Sequence, residues 1–322
     1  MKNKIELHVH LDGCLREKTV INIAKKEGIT LPINGDIKKH LRINGTVTNL
    51  SEYLTKFDIP LKIMQKIDAI YRIAYEFVED SYKAGYKYCE VRFSPHIMTR
   101  GGEKVEDIVA AALEGLNKAT QKFGIKVNLI LCIMRHHPVS EGFEVVELAQ
   151  NFVDVIGIDI AGDEYNFPLT PFKQVFAKAK KLDIPFTIHA GEARGAESVW
   201  TAVNLGAQRI GHGVRANEDK KLLDIIKKRK IVLEFCPISN YQTSVLNDFS
   251  EYPIKQFLNM GIKVCLNTDN RTVSNTSIEK EVEFLQNYFD ISESDILQMK
   301  KNAIDGAFIS KIEKDRLFSE LK

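Results

Sequence analysis

His8 and His10 stand two residues apart inside the apolar, β-branched run 4–11. Strand side chains alternate faces, so both rings project together and can reach one metal ion. A lone pair of this kind reads equally well as two hydrogen-bonded core histidines. Three further groups lie far along the chain: His189 in His189-Ala190-Gly191-Glu192, His212 between Gly211 and Gly213, and Asp269 in Asn267-Thr268-Asp269. Each stands at the end of a short apolar run of strand character. Imidazoles with a carboxylate, and no thiolate motif beside them, suit zinc with a coordination position open to water.

The elements that must gather these residues can be read from periodicity. Eight β-branched, apolar runs recur, at 4–11, 87–94, 127–134, 155–162, 184–191, 208–213, 231–237 and 263–269, separated by amphipathic segments. In one of these, 103–123, Val105, Ile108, Val109, Ala112, Leu113 and Leu116 repeat at helical spacing. Strands alternating with helices predict a parallel sheet, and eight such units predict an α/β fold of the (β/α)8 TIM-barrel type. Helical patterns at 279–289 and 295–308 close the ring. The stretch 14–85 holds no strand and at least three helical patterns, among them 67–78 with Ile70, Ile73, Ala74 and Phe77 on one face. It reads as a helical insertion after the first strand, lying over the barrel mouth. Within it Leu54, Phe57 and Leu61 form a stripe that either covers a ligand or faces the core. In a parallel barrel the carboxyl ends of all strands share one rim, so His8, His10, His189, His212 and Asp269 are expected to converge there.

Composition narrows the partners. The chain has 322 residues, 44% of them apolar, enough for one core, and no linker or repeat divides it, so 1–322 is read as one domain. With 45 basic and 43 acidic residues it lacks the charge excess of a nucleic-acid or membrane-surface binder, and a small-molecule partner is expected. Five cysteines, Cys14, Cys89, Cys132, Cys236 and Cys265, form no CxxC pair, so neither a disulfide framework nor a thiolate metal site is expected. The start of the chain has no apolar leader, no run approaches a membrane span, and a reducing cytoplasm is expected. Nothing in the sequence speaks to oligomeric state.

The order of motifs is more specific than any one of them. From Glu6 to Gly13 the chain reads Glu-Leu-His-Val-His-Leu-Asp-Gly; later come 73–79, 90–96, 134–138, 157–164, the His189–Glu192 tetrapeptide, Gly211-His212-Gly213 and Leu266-Asn267-Thr268-Asp269. In this order they resemble the adenosine deaminase family of the amidohydrolase superfamily over nearly the whole chain. The other zinc-deaminase pattern, H-x-E followed by P-C-x-x-C, is missing, since Cys236-Pro237 has no second cysteine three residues on.

The resemblance implies one zinc ion on His8, His10, His189 and Asp269. It implies Glu192 as proton donor to a purine, and His212 as the group that orients or deprotonates the attacking water. Asp269 counts with them as catalytic. It implies substrate contacts from His10, from Asp12 to a ribose hydroxyl, and from the backbone N–H of Gly162 to purine N3. Asn270 stands where many members carry a second aspartate, and its amide donates to purine N7 without needing a proton. Plainer readings stand beside these: Glu192 as a carboxylate at a helix start, Asp12 and Gly162 as turn residues, and His212 and Asn270 as structural. The expected reaction is zinc-dependent hydrolysis of adenosine, and of 2′-deoxyadenosine, to inosine or deoxyinosine and ammonia in purine salvage. Rival readings are an amidohydrolase of adenine, AMP or a modified purine nucleoside, and a zinc-binding barrel without activity. Arg16 is the only base close to Asp12, which favours a nucleoside over a nucleotide.

Overall fold

The computed structural model describes residues 3–32 and 36–321. Its eight strands are β1 (Lys4–His10), β2 (Tyr86–Phe93), β3 (Lys126–Met134), β4 (Val155–Ala161), β5 (Thr187–Ala190), β6 (Arg209–His212), β7 (Val232–Phe235) and β8 (Lys263–Leu266). All pairings are parallel and follow chain order, in two four-stranded sheets, β1 to β4 and β5 to β8. Parallel bridges join both seams, Ile158 with Phe186 and Val9 with Asp269. At the second seam His10 N–H donates to the Asp269 carbonyl at 2.8 Å and Asp269 N–H to the His8 carbonyl at 3.1 Å. The fold is the expected TIM barrel.

Several strands are shorter than the apolar runs that announce them, for local reasons. The fifth begins only after Pro185, which has no N–H for the ladder. The seventh stops before Pro237, which opens the helix Pro237–Gln242. The eighth ends at Leu266, and three residues later Asp269 leaves extended geometry with φ 58°.

Between β1 and β2 lies the helical insertion, with helices Glu17–Glu27, Ile37–Leu41, Leu50–Leu54, Asp58–Ile63 and Ile67–Lys83. The last of these packs against Val105–Phe123 in the outer helical layer. After β8, Ile278–Phe289 and Glu293–Gly306 complete the ring, and the second brings Ala303 and Ile304 onto the floor residues Ile5, Leu7, Tyr88, Val232 and Cys265. One continuous apolar cluster, from Val9 to Met299, fills the space between barrel and helices. Among the described residues no helix is long and apolar enough to cross a membrane.

Two features of the barrel interior set up its rim. The first is a bulge in β1. Glu6 pairs with Cys89 and Val9 with Val91, so three steps on β1 match two on β2. The extra residue shifts the alternation: Ile5 and Leu7 join the floor cluster, whereas Val9 and Leu11 join the outer core. Glu6 therefore does not share a face with His8 and His10, as unbroken alternation would have it. It bonds to Thr268 and Arg271, and the Arg271 guanidinium lies between the rings of Phe77 and Tyr86. The two bulge amides, Leu7 N–H and His8 N–H, both donate to Asn267 Oδ1, at 2.9 and 3.1 Å. Bulges re-aim side chains beside functional sites, and this one turns His8 inward.

The second feature is a charged layer beneath the rim. Arg92 and Arg209 are fully buried. Arg92 spans Asp159 at 2.7 Å and Glu234 at 3.1 Å, and Arg209 spans Glu90 at 2.6 Å and Glu234 at 2.5 Å. Buried ions are tolerated only when paired and hydrogen-bonded, so the network holds these groups in register.

Candidate active site

His8 and His10 from β1, His189 from β5 and Asp269 after β8 bring one ligand atom each to a common point, all within 4.8 Å of one another. His10 Nε2 and His189 Nε2 are 3.2 Å apart, and Asp269 Oδ1 lies 3.4 Å from both His8 Nε2 and His10 Nε2. Ligands at about 2.0 Å from a tetrahedral metal stand about 3.3 Å from each other. Three of the six donor pairs stand at that spacing, and all lie within 4.8 Å. His8 Nε2 is buried and has no hydrogen-bond partner, which fits a nitrogen whose lone pair serves a cation.

The layer below orients these ligands. Glu234 Oε2 is 2.8 Å from His8 Nδ1, which places the proton there and leaves the Nε2 lone pair for the centre. Asp159 Oδ2 lies 2.9 Å from His189 Nδ1, close enough for an ion pair though off the line of a good hydrogen bond. Burial opposes ionisation of both carboxylates, but Arg92 with His189 on Asp159, and Arg92 with Arg209 on Glu234, outweigh it and hold both below the usual range. Burial also lowers the pKa values of His10 and His189, keeping neutral lone pairs available. His8 is the exception: burial and Arg92 lower it, but the flanking Asp269 and Glu234 raise it further. Burial opposes ionisation of Asp269, but His8 above all outweighs it and holds the carboxyl well below the usual range, and its Oδ2 accepts from Ser239 Oγ at 2.6 Å.

His212 closes β6 with a left-handed backbone, φ 61°. Tyr252 Oη donates to Asn240 Oδ1 at 2.9 Å, so the Asn240 amide nitrogen faces His212 Nδ1 at 3.0 Å and donates to it. Burial keeps this ring neutral. A neutral imidazole that accepts at Nδ1 carries its proton on Nε2. His212 therefore presents a donor, and Nε2 lies 3.5 Å from Glu192 Oε2.

Glu192 belongs to the loop after β5 and is 6% exposed. Burial first, then the charges of Asp269 and Glu164, push its pKa well above the usual carboxyl value and favour its acid form. It is not the carboxylate of a helix start. The following helix, Ala196–Leu205, has Glu197 in its first turn, and Ala196 N–H is taken by Glu218.

These groups face a cavity of about 190 Å³ that Asp12, Gly162 and Asn270 also line. Asp12 Oδ1 is buried without a partner, and burial raises the carboxyl to about 7. Gly162 has φ 103°, a conformation L side chains rarely adopt, and a Cβ there would meet Met134 at 3.3 Å. Asn270 Nδ2 donates to Tyr53 Oη at 3.1 Å. Leu54, Phe57 and Leu61 line the same cavity, together with Leu50 and Tyr53. The single helical stripe expected across 51–61 is broken into helix, 3-10 turn Thr55–Phe57 and helix. Ser51 Oγ donates to Asp163 at 2.7 Å, a second clasp between the insertion and the rim. His136 borders the cavity, whereas His137 and His96 pair with Glu141 and Glu144.

Sequence reasoning did not single out Asp159, Glu234, Arg92, Glu164, Asn240 or Tyr53. Asp159 and Glu234 carried a signal, each being the lone charge of its barrel strand, whereas Arg92 shares its strand with Lys87 and Glu90 and the others sit in loops or short helices.

The family model described as adenosine deaminase matches residues 3–322. An adenosine deaminase of Enterococcus faecalis is 42% identical over 317 residues, covering 98% of this chain and 94% of its own. Among solved structures, an adenine deaminase of Arthrobacter aurescens superimposes with TM-score 0.92 at 22% identity, over 100% of this chain and 98% of its own. An amidohydrolase of Burkholderia ambifaria with bound zinc does so with TM-score 0.88 at 25% identity, over 99% and 92%. At 22% identity the former likeness speaks to the fold alone.

Proposed function

The chain belongs to the adenosine deaminase family, and on that premise we propose that it hydrolyses adenosine and 2′-deoxyadenosine to inosine or deoxyinosine and ammonia, using one zinc ion. The observation that carries this reading is the convergence of His8, His10, His189 and Asp269, their ligand atoms all within 4.8 Å of one another, beside the buried Glu192 carboxyl, which burial shifts toward its acid form. Zinc is supported by the imidazole-rich donor set and the absence of thiolates from it. When bound, the ion supplies Lewis-acid activation of water at neutral pH.

The chain's own groups do the rest. Water adds to C6 of the purine while Glu192 gives its proton to N1, so charge does not accumulate on the ring as aromaticity is lost. His212, with its proton on Nε2, donates a hydrogen bond that orients the attacking oxygen, which favours the orienting role over that of base. Asp269, close to the His8 and His10 rings, takes one proton of the water and passes it to the 6-amino group, which leaves as ammonia, while the adduct's hydroxyl proton returns to Glu192 as the C6 carbonyl forms. Asp12 Oδ1 accepts a ribose hydroxyl, the Gly162 backbone N–H meets N3, and one Asn270 amide proton meets N7. His10 borders the bound base. The apolar wall from the insertion excludes bulk water.

Two observations separate this reading from its rivals. No lysine or arginine lines the cavity among the described residues, while Asp12 and Asp163 do, so a phosphate would be repelled. The partnerless Asp12 oxygen asks for a hydroxyl donor, which adenosine has and adenine lacks. We further read 1–322 as one catalytic domain, from its continuous core, and place it in the cytoplasm, since all five cysteines are free thiols. The test is a panel of adenosine, 2′-deoxyadenosine, adenine and AMP, followed by absorbance loss near the adenine band, with metal analysis on the same sample. Turnover of both nucleosides with one zinc per chain is expected. Preference for adenine or AMP would refute the substrate assignment.

A further inference from the structure

The carboxyl assigned above as the acid is held by little at its own end. Glu192 meets His212 Nε2 at 3.5 Å and, among the described residues, accepts no closer hydrogen bond. A long side chain facing an open cavity keeps its rotamer freedom, so its aim must come from the backbone that carries it.

That backbone is gripped from two sides. Glu164, 1% exposed, follows β4 and projects beneath the loop after β5. Its Oε1 accepts Gly191 N–H at 2.8 Å and the Ser198 hydroxyl. Its Oε2 accepts three successive amides, Glu192 at 3.0 Å, Ala193 at 2.6 Å and Arg194 at 3.1 Å. On the other side the Arg135 guanidinium donates to the His189 carbonyl. Gly191 turns the chain between these anchors at φ 72°, where a Cβ would lie 2.6 Å from Val199. Four consecutive amides converging on one buried carboxylate include that of Glu192 and both its neighbours, and stop short of the helix, whose first N–H goes to Glu218. Charge-assisted bonds of this kind are the stronger ones, and only an acceptor with two oxygens can serve all five donors.

We propose that Glu164 is a positioning residue for the deamination, clamping the amides of residues 191–194 so that the Glu192 carboxyl points at the ring nitrogen it protonates. The inference rests on the reading of Glu192 as the acid, and a double-mutant cycle separates the two. Glu164→Gln keeps the size but replaces one accepting oxygen with an amide that donates. With the acid misaimed, kcat should fall about 100-fold. KM, the inhibition constant of inosine and metal content should stay within about twofold, because ligands and cavity wall are untouched. In the Glu192→Gln background the same change should alter residual kcat by less than about twofold, since the group it aims is gone. A folded, metal-replete Glu164→Gln enzyme with kcat within about threefold of the parent would overturn the proposal. So would an equal loss in both backgrounds, the mark of a general structural role. Should Glu164→Gln fail to fold, Glu164→Asp, which keeps the charge but withdraws it by one methylene, passes through the same cycle with the same criteria. Undiminished activity in Glu192→Gln alone would instead remove the acid assignment, and this proposal with it.

Discussion

Replacing Glu192 by glutamine should abolish most activity and at the same time stabilise the protein. Glutamine is isosteric but has no acidic proton, so loss of general-acid catalysis should lower kcat by about 10²- to 10⁴-fold, equivalent to about 2.7 to 5.5 kcal/mol of transition-state stabilisation. The stability effect follows from burial. The folded protein holds Glu192 protonated, whereas the unfolded chain ionises it above its ordinary 4.5. Between that value and the raised folded pKa, folding takes up a proton, and stability falls as pH rises, by about 1.4 kcal/mol per pH unit. Below 4.5 both states are protonated and the cost disappears. Glutamine carries no such cost at any pH. Urea unfolding of metal-stripped parent and variant at a series of pH values from 4.5 upward should therefore give curves that diverge in favour of the variant by about 1.4 kcal/mol per unit, until the raised folded pKa is passed. Parallel stability profiles would show that Glu192 is ionised in the folded state, and an active variant would show that it is not the acid.

Four further outcomes are expected. Thorough chelation should abolish deamination and one equivalent of zinc per chain should restore it; activity indifferent to metal removal would end the mechanism. Asn267→Ala strips the acceptor from the Leu7 and His8 amides, at about 1 to 3 kcal/mol for each orphaned group, and should weaken zinc in a chelator competition by about tenfold. Unchanged stability there would mean that the bulge needs no support. Asn240→Asp should invert the His212 tautomer by accepting from Nδ1–H and remove the Nε2 donor, lowering kcat by about 10²-fold in steady-state assays with zinc content unchanged. Asn270→Asp should raise KM for adenosine more than it lowers kcat, because a buried aspartate must be protonated before it can donate to N7; a selective fall in kcat would contradict that assignment.

What could be read along the chain was whatever depends on local spacing. The eight apolar runs announced eight strands and the helical periodicities their partners, since both patterns arise within ten or so residues. Glu192 and the four proposed ligands were legible for a related reason, as each stands close to the carboxyl end of a strand, and a parallel barrel gathers all such ends on one rim. Even there the local rule failed once. Alternation along β1 kept His8 and His10 together, but it put Glu6 with them, and the bulge that separates it is held by Asn267, some 260 residues away.

Tertiary structure alone decided the chemistry of these groups. Nothing within the tetrapeptide at 189–192 says that the Glu192 carboxyl is held toward its acid form. That follows from its removal from water and from the charges of Asp269 and Glu164 brought beside it. Likewise Asn240 and Tyr252 choose the His212 tautomer, and Asp159 and Glu234 choose which ring nitrogens of His189 and His8 face the centre. Residue type supplies an ionisable group, but desolvation and through-space charge set its protonation, and both depend on neighbours that only folding assembles.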